Sequence, residues 1–308
     1  WVSRPPNLKA LQPLRERRPE LFEGLRIIYD SEALFALREI GEAAVKGRPM
    51  TPEQASARLQ AELEQARNVY CSIVVSDIDA AHFRSAGHQV ATLSHAIAQR
   101  RNVPDARERR DLLFVGALHP DTPNEDGLLW FVREVLPLLG KLLPAPPRLR
   151  VVGECRSSRI AALAGPELEV LGAQADLASH YDQARVFIAP ARFAGGVPLK
   201  VIEAAAHGIP VVASALLVEQ LGWQDGKEIR SAADAAGFAQ ALVRLLQDDN
   251  AWHQQQQAAW SVCRARYDPE QFMDAVVPAR RLPWRARLSL RHRLPLGQIP
   301  DPGHPRPA

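Results

Sequence analysis

Five short apolar runs constrain this chain more than anything else in it. They are "LLFVG" (112–116), "LRVVG" (149–153), "LEVLG" (168–172), "RVFIAP" (185–190) and "IPVVAS" (209–214). Each is closed by Gly, Pro or a small polar residue, as strands buried on both faces of a parallel sheet are. Helical stretches at roughly 126–139, 156–164, 176–184 and 198–207 separate them. Strand and helix in strict alternation predict βαβ units and a doubly wound parallel sheet.

The first third of the chain repeats the theme in part. "LRIIYD" (25–30), "NVYCSIVVS" (68–76) and "QVATLS" (89–94) read as three strands, with helices around 31–46 and 52–67. Thr51 followed by Pro52 is an N-cap and a first-turn proline. Three strands make only part of a doubly wound sheet, so the expectation is a partial Rossmann-like domain over 1–105 and a complete one over 106–275. The boundary falls in the charged stretch "QRRNVPDARERRD" (99–111). Starting at Trp1 without Met, the chain reads as the middle of a larger protein. On that reading it holds a donor but transfers poorly. "HQQQQ" (253–257) reads as a solvated helix face. The Pro- and Arg-rich tail 276–308, with Trp284, Leu288 and Leu290 among its arginines, is either plain tail, a docking segment or a rest on an anionic membrane.

Composition excludes several classes. At 308 residues, 46% hydrophobic and 24% charged, the chain can bury sizeable cores. A net charge of +3, with arginine concentrated near the two ends, does not describe a nucleic-acid face. No run reaches the ~18 apolar residues of a membrane span. Cys71, Cys155 and Cys263 are too scattered for a disulfide frame or a zinc site and suit a reducing, cytosolic setting, either free or at the inner face of a membrane through the tail. No clustered metal-ligand set is visible.

The chemistry gathers in "FAGGVPLKVIEAAAHGIPVVAS" (193–214). Gly195 and Gly196 allow close backbone approach to a ligand, and Pro198 suits a first helical position. Lys200 then lies at the positive end of a helix, unfavourable by roughly 0.3–1 kcal/mol without an anion. Glu203 projects from the same side of the helix. A nucleoside diphosphate would reconcile the two, its phosphates at Lys200 and its ribose hydroxyls at Glu203. The other reading is a surface Lys–Glu pair beside an ordinary glycine turn.

That segment resembles the donor-nucleotide signature of glycosyltransferase family 4, also called group 1, of the GT-B fold. "LLFVGALHPDTPNEDGLLWFVREVLPLL" (112–139), "LRVVGE" (149–154), "VLGAQADLASHYDQARVFIAP" (170–190) and "LGWQDGKEI" (221–229) match in order, while "RIIYDSEALFALRE" (26–39) and "VVSDIDAAHF" (74–83) resemble the second half of its acceptor domain. The resemblance covers about residues 25–270. It implies a two-domain, retaining, metal-independent enzyme with a nucleotide diphosphate sugar as donor substrate and no further cofactor. It makes Glu203 the ribose ligand, Gly195, Gly196 and Val197 the backbone cradle of the diphosphate, Lys200 its cation and Gly116 the glycine beneath it. Asp30 and Glu32 fall near the reaction centre, or else serve as N-cap and first turn of helix 31–46. His119 contacts a phosphate or sugar, or is a surface loop residue.

The chain departs from the pattern at Gly195, where relatives often carry a first Glu. Ala117 and Asn124 stand where phosphate-binding Arg and Lys are often found. Lys200 is left nearly alone as phosphate cation. The expected function is transfer of a sugar to a saccharide or lipid-linked acceptor hydroxyl, with polysaccharide or glycolipid assembly as its setting. The rivals are a nucleotide-sugar epimerase of similar architecture and a catalytically silent nucleotide-sugar-binding module. A dinucleotide dehydrogenase is disfavoured, because no strand is followed by a full G-x-G-x-x-G.

Overall fold

A computed structural model describes residues 1–276; the tail reading for 280–308 lies outside them. The first part runs β1 (Val2–Ser3), α1 (Pro5–Arg17), β2 (Ile28–Asp30), α2 (Phe35–Val45), α3 (Pro52–Gln65), β3 (Cys71–Val74), α4 (Asp77–Ser85) and β4 (Val90–Thr92). These strands form a four-stranded parallel sheet in the order β1-β2-β3-β4. Sequence reasoning found three of the four. β1 is two residues long, and a two-residue strand carries no period to read. Its pairing of Val2 with Tyr29 and Ser3 with Asp30 is set instead by α1, whose Leu8 is buried with Tyr29 and Leu63.

The second part is the predicted doubly wound sheet. It runs β5 (Arg110–Val115), α5 (Pro123–Trp130), α6 (Leu136–Leu142), β6 (Leu149–Val152), α7 (Ser158–Ala161), β7 (Leu168–Gly172), α8 (Ala178–Gln183), β8 (Ala184–Ala189), α9 (Leu199–Ala206), β9 (Val211–Ser214), α10 (Ala215–Leu221), β10 (Arg230–Ala232), α11 (Ala235–Gln247), α12 (Asp249–Tyr267) and α13 (Pro269–Val276). Six parallel strands lie in the order β10-β9-β8-β5-β6-β7. Alternation along β5 explains why its apolar run is continuous. Leu112 and Phe114 join the core under α5, α6 and α11, while Leu113 joins the opposite core with Phe187, Val201 and Ile202.

Two expectations change, and one strand is new. The helix expected at 126–139 spans α5 and α6 with a π-helical turn over Phe131–Val135 between them. Pro137 in the following turn donates no N–H, and a wider turn just before it accommodates the missing bond. β10 has no apolar run, so its sequence gave no signal. "HQQQQ" is not a solvated face: Gln255 is 2% exposed and donates to the Val211 carbonyl at 2.8 Å, and Gln256 is buried beside it.

The charged boundary segment is fastened rather than loose. Arg109 is buried and fans its guanidinium over the carbonyls of Pro104 (3.1 Å), Tyr181 (2.7 Å), Ala184 (3.2 Å) and His207 (3.4 Å). The Arg100 N–H bonds the Ala206 carbonyl at 3.1 Å and Ile97 N–H bonds Tyr267 at 2.7 Å. The connection from the first sheet therefore runs along the second before entering β5.

The start of α2 is closed from outside the helix. Its N-cap, Leu34, has no side chain to offer, so Glu62 of α3 accepts from the N–H groups of Phe35 (2.9 Å) and Ala36 (2.6 Å). Glu62 is 3% exposed and has Arg58 at 3.5 Å. Hydrogen bonds to a charged acceptor are worth about 1.5–3 kcal/mol each. Glu62→Ala is therefore expected to lower the unfolding free energy by about 2–3 kcal/mol, read by denaturant titration. Glu62→Gln, which still offers one carbonyl oxygen, should lose less. Equal stability of all three proteins would show that water caps α2 equally well.

Candidate active site

The strand order puts β5 beside β8, yet their connections leave in opposite directions, β5 to β6 and β8 to β9. In open parallel sheets a ligand crevice forms at such a switch point, beyond the carboxyl ends of the strands. Here it is bounded by the loop after Gly116 and the loop carrying Gly195 and Gly196.

Three glycines bring these walls together by their lack of a side chain. A methyl at Gly127 of α5 would lie 2.5 Å from the Pro190 carbonyl at the end of β8. One at Gly153 would lie 2.3 Å from the Gly116 carbonyl. One at Gly116 would lie 2.8 Å from Asn124 Nδ2 and 3.2 Å from Lys200 Nζ. The predicted neighbours Gly116 and Lys200 are thus brought together.

Lys200 sits in the first turn of α9, with Pro198 as N-cap rather than first helical residue. Its ammonium group hydrogen-bonds Asn124 Oδ1 and stands 4.6 Å from the centre of the Phe114 ring. Asn124 Nδ2 donates to the Ala117 carbonyl at 2.8 Å. A small pocket lies against the same Phe114, Asn124 and Lys200 side chains. Burial pulls the Lys200 ammonium down to about 8, against the opposing pull of Glu203. Burial also raises the Glu203 carboxyl, with Lys200 working the other way.

The two residues do not form the surface pair that their spacing allows. Among the described residues, the Glu203 carboxylate accepts no hydrogen bond and makes no ion pair within 4 Å, while its backbone carbonyl accepts from His207 N–H at 3.0 Å. A half-buried carboxylate and a half-buried ammonium thus share one helix face, the ammonium on a single amide and the carboxylate on nothing.

The glycine pair does something the sequence did not suggest. A methyl at Gly196 would lie 2.8 Å from Ala33 Cβ and 3.1 Å from the Glu32 carbonyl; one at Gly195 would lie 3.0 Å from the Leu34 carbonyl. Gly196 also has φ of 73°, a conformation that favours glycine. The pair lets the 32–34 loop of the first sheet close against the second. Fewer helix N–H groups are open than expected, since Leu199 N–H bonds Val197 and Val201 N–H bonds Pro198, both at 2.9 Å.

Of the two acidic residues, Asp30 closes β2 and is 2% exposed, with Ser3 Oγ 3.5 Å away. It does not cap α2, which begins five residues later. Glu32 has φ of 56° and pairs with Arg4 at 2.8 Å, its side chain 40% exposed. Neither is the N-cap and first-turn residue of a helix. His119 Nε2 lies 3.6 Å from Glu154 Oε2, which ties the loops after β5 and β6 to each other. Sequence reasoning missed Asn124 as the partner of Lys200 and Arg4 as the partner of Glu32; residues that far apart in the chain leave no local signal.

A cleft of about 460 Å³ opens between the two sheets beside this site. Ser76, Asp77 and Thr92 line it on one side, and Val197, Glu219 and Gln220 on the other. Among the described residues no group of three or more His, Cys, Asp or Glu side chains is placed to hold a metal ion, and no helix is long and apolar enough to cross a membrane.

The Lys200 environment has a measurable consequence. An unfolded lysine titrates near 10.4, above its folded value of about 8. Between those values the unfolded chain holds a proton that the folded chain has released, so stability rises with pH. Lys200→Met lacks this contribution. The stability of the parent relative to Lys200→Met should therefore increase from pH 8 to pH 10, measured by denaturant titration. A constant difference would mean an ordinary lysine.

Comparison with known proteins places this geometry. Residues 109–248, less than half of the chain, match the family described as glycosyl transferases group 1. No curated protein matches the sequence. Among solved structures, sucrose-phosphate synthase from Thermosynechococcus elongatus superposes with a TM-score of 0.64 at 20% identity, over 92% of this chain and 77% of that one. Anabaena HepE in complex with UDP and glucose gives 0.64 at 13% identity, over 88% and 75%. Staphylococcus aureus TarM gives 0.65 at 13% identity, over 88% of this chain but 57% of its own. The described residues carry the GT-B fold, and the second sheet with its helices is the part that matches group 1 glycosyl transferases.

Proposed function

We propose that this chain binds a nucleoside diphosphate sugar at the β5/β8 switch point and transfers the sugar to an acceptor hydroxyl. The observation that carries the reading is Lys200: a first-turn lysine, half-buried against Gly116 and Asn124, whose charge no carboxylate neutralises. A diphosphate seated there meets the ammonium group, the positive end of α9 and the loop N–H groups together. Glu203, one turn deeper and with no hydrogen-bond partner for its carboxylate, is the acceptor for two ribose hydroxyls. Gly195, Gly196 and Val197 then pass along the diphosphate, with Gly116 beneath it. His119, in the loop after Gly116, is the contact for a phosphate or the donor sugar.

In the transfer, the bond between the anomeric carbon and the phosphate oxygen breaks and that oxygen takes up charge. The acceptor oxygen bonds the same carbon, and its proton passes to the departing phosphate oxygen. Lys200 stabilises the departing diphosphate, the largest electrostatic change of the step. Retention at the anomeric carbon and independence of metal are what the resemblance to group 1 glycosyl transferases implies for this transfer, with protein cations and helix N–H groups meeting the diphosphate charge. The cleft lined by Asp77 and Glu219 gives a saccharide or lipid-linked acceptor room beside the donor. Glu32, on the loop facing Gly196, is the acidic group nearest that junction, and Asp30 supports the loop from beneath. Assembly of polysaccharide or glycolipid at the cytoplasmic side of a membrane is the setting in which such an acceptor is met.

One observation favours a second reading, a module that binds nucleotide sugars without reacting them. Asp30 is buried and Glu32 is engaged by Arg4, so neither is a free base. Product analysis with a panel of nucleotide sugars separates the two readings. UDP-sugars come first in the panel, since HepE was crystallised with UDP and glucose. Transfer to any acceptor supports the enzyme; binding without turnover across the panel supports the module. In either case Glu203→Ala should weaken nucleotide-sugar binding by about ten- to a hundredfold, with little change in the unfolding midpoint. Calorimetry showing unchanged affinity would remove Glu203 from the site.

A further inference from the structure

We propose that Arg38, from the first sheet's side of the molecule, is the second cation of the diphosphate site and closes on the ligand opposite Lys200. This rests on the reading of a diphosphate at Lys200. Arg38 is the fourth residue of α2, and a methyl at Gly195 would lie 3.4 Å from its Cβ. Three residues on, a methyl at Gly41 would lie 3.3 Å from Phe193 Cβ. One face of α2 therefore lies on the 193–196 loop, the loop that leads into Lys200. A long helical side chain leans toward its helix's N-terminal end, and that end carries Ala33 and Glu32 against Gly196.

The carboxylates that could have neutralised Arg38 are committed elsewhere. Glu42, four residues along α2, is the natural partner at helical spacing, yet it binds Lys46 at 2.6 Å. Glu39 takes Arg58 through two hydrogen bonds, of 2.5 and 2.9 Å. Glu62 is spent on the α2 N–H groups and on Arg58. Glu32 is held by Arg4 at 2.8 Å. Arg38 is half-buried, and among the described residues it makes no hydrogen bond, ion pair or ring contact.

A half-buried arginine normally has an anion within reach of its guanidinium. This one also sits near the start of a helix with no acidic residue in its first turn, where a cation is disfavoured. Lys200 has the same two features on the other side of the glycine pair. Two first-turn cations on either side of one glycine loop suit one ligand carrying two negative charges. The planar fork of arginine binds phosphate oxygens in pairs, so Arg38 recognises the diphosphate rather than the nucleoside.

The test is calorimetry of the full chain with UDP, ADP and GDP, followed by the monophosphate and nucleoside of whichever binds. Arg38→Ala should weaken the diphosphate about tenfold or more, the monophosphate less and the nucleoside not at all. Arg38→Lys should recover part of the loss. Arg38→Gln, which keeps most of the packing stem, is read in the same titration and should behave as Arg38→Ala; its unfolding midpoint checks that the fold is intact. If Lys200→Met loses the diphosphate while both neutral Arg38 variants bind it like the parent, the Arg38 assignment is overturned and the donor site stands. If the parent binds none of the three diphosphates, both fall together.

Discussion

The structure depends on one lysine being held where a lysine is unwelcome. Lys200 lies at the positive end of α9, half out of water, and among the described residues its close partners are an asparagine amide and the Phe114 ring. Each of these costs stability on its own. They are tolerated because the surroundings fix the geometry. Phe114 is locked between the sheet and α5, and Asn124 is anchored on the Ala117 carbonyl. Glycines 116, 127 and 153 let the loops after β5, β6 and β8 come within contact distance. A binding site whose charge is already placed and partly withdrawn from water need reorganise little when its anion arrives. That is the condition under which a single cation counts most.

The glycine pair links this site to the other half of the molecule. Its absent side chains are filled by the backbone of residues 32–34, so the loop that bounds the donor crevice also carries the contact between the sheets. The same arrangement explains why Glu62 matters at a distance. It fixes the start of α2, and the start of α2 fixes residues 32–34 and Arg38. A cap on one helix thereby sets the far wall of a site built mainly by another domain.

How much of this was legible in the sequence follows from the range of each signal. The five central strands were readable because burial on both faces demands unbroken apolar runs. Thr51 was readable as a cap because the capping box with Gln54 is local. β1 and β10 were not, since two or three residues of mixed polarity take their conformation from neighbours rather than from their own pattern. Gln255 misled because polarity was taken for exposure; a buried amide with a carbonyl to bind is stable inside. Gly195, Gly196, Lys200 and Glu203 stood out as candidates because a helix start and its preceding glycines are contiguous. The partners Asn124 and Arg4 could not, because they arrive through the fold.

The two ends of the crevice differ in how their charge is satisfied, and this bears on what a ligand can change. At the loop of residues 30–34, Glu32 already has Arg4, and the exposed pair is worth little, about 0–1 kcal/mol. A ligand could displace either member cheaply. At α9 little needs displacing: the Glu203 carboxylate is without a partner, and Lys200 surrenders only an amide. Affinity should therefore be concentrated at α9, where new hydrogen bonds are gained and only the Asn124 amide is given up. The 30–34 loop is the part free to rearrange between one bound state and the next. A donor anchored on a rigid helix and an acceptor side bounded by an exchangeable ion pair is the division of labour that a sugar transfer requires, because one partner must stay while the other enters and leaves.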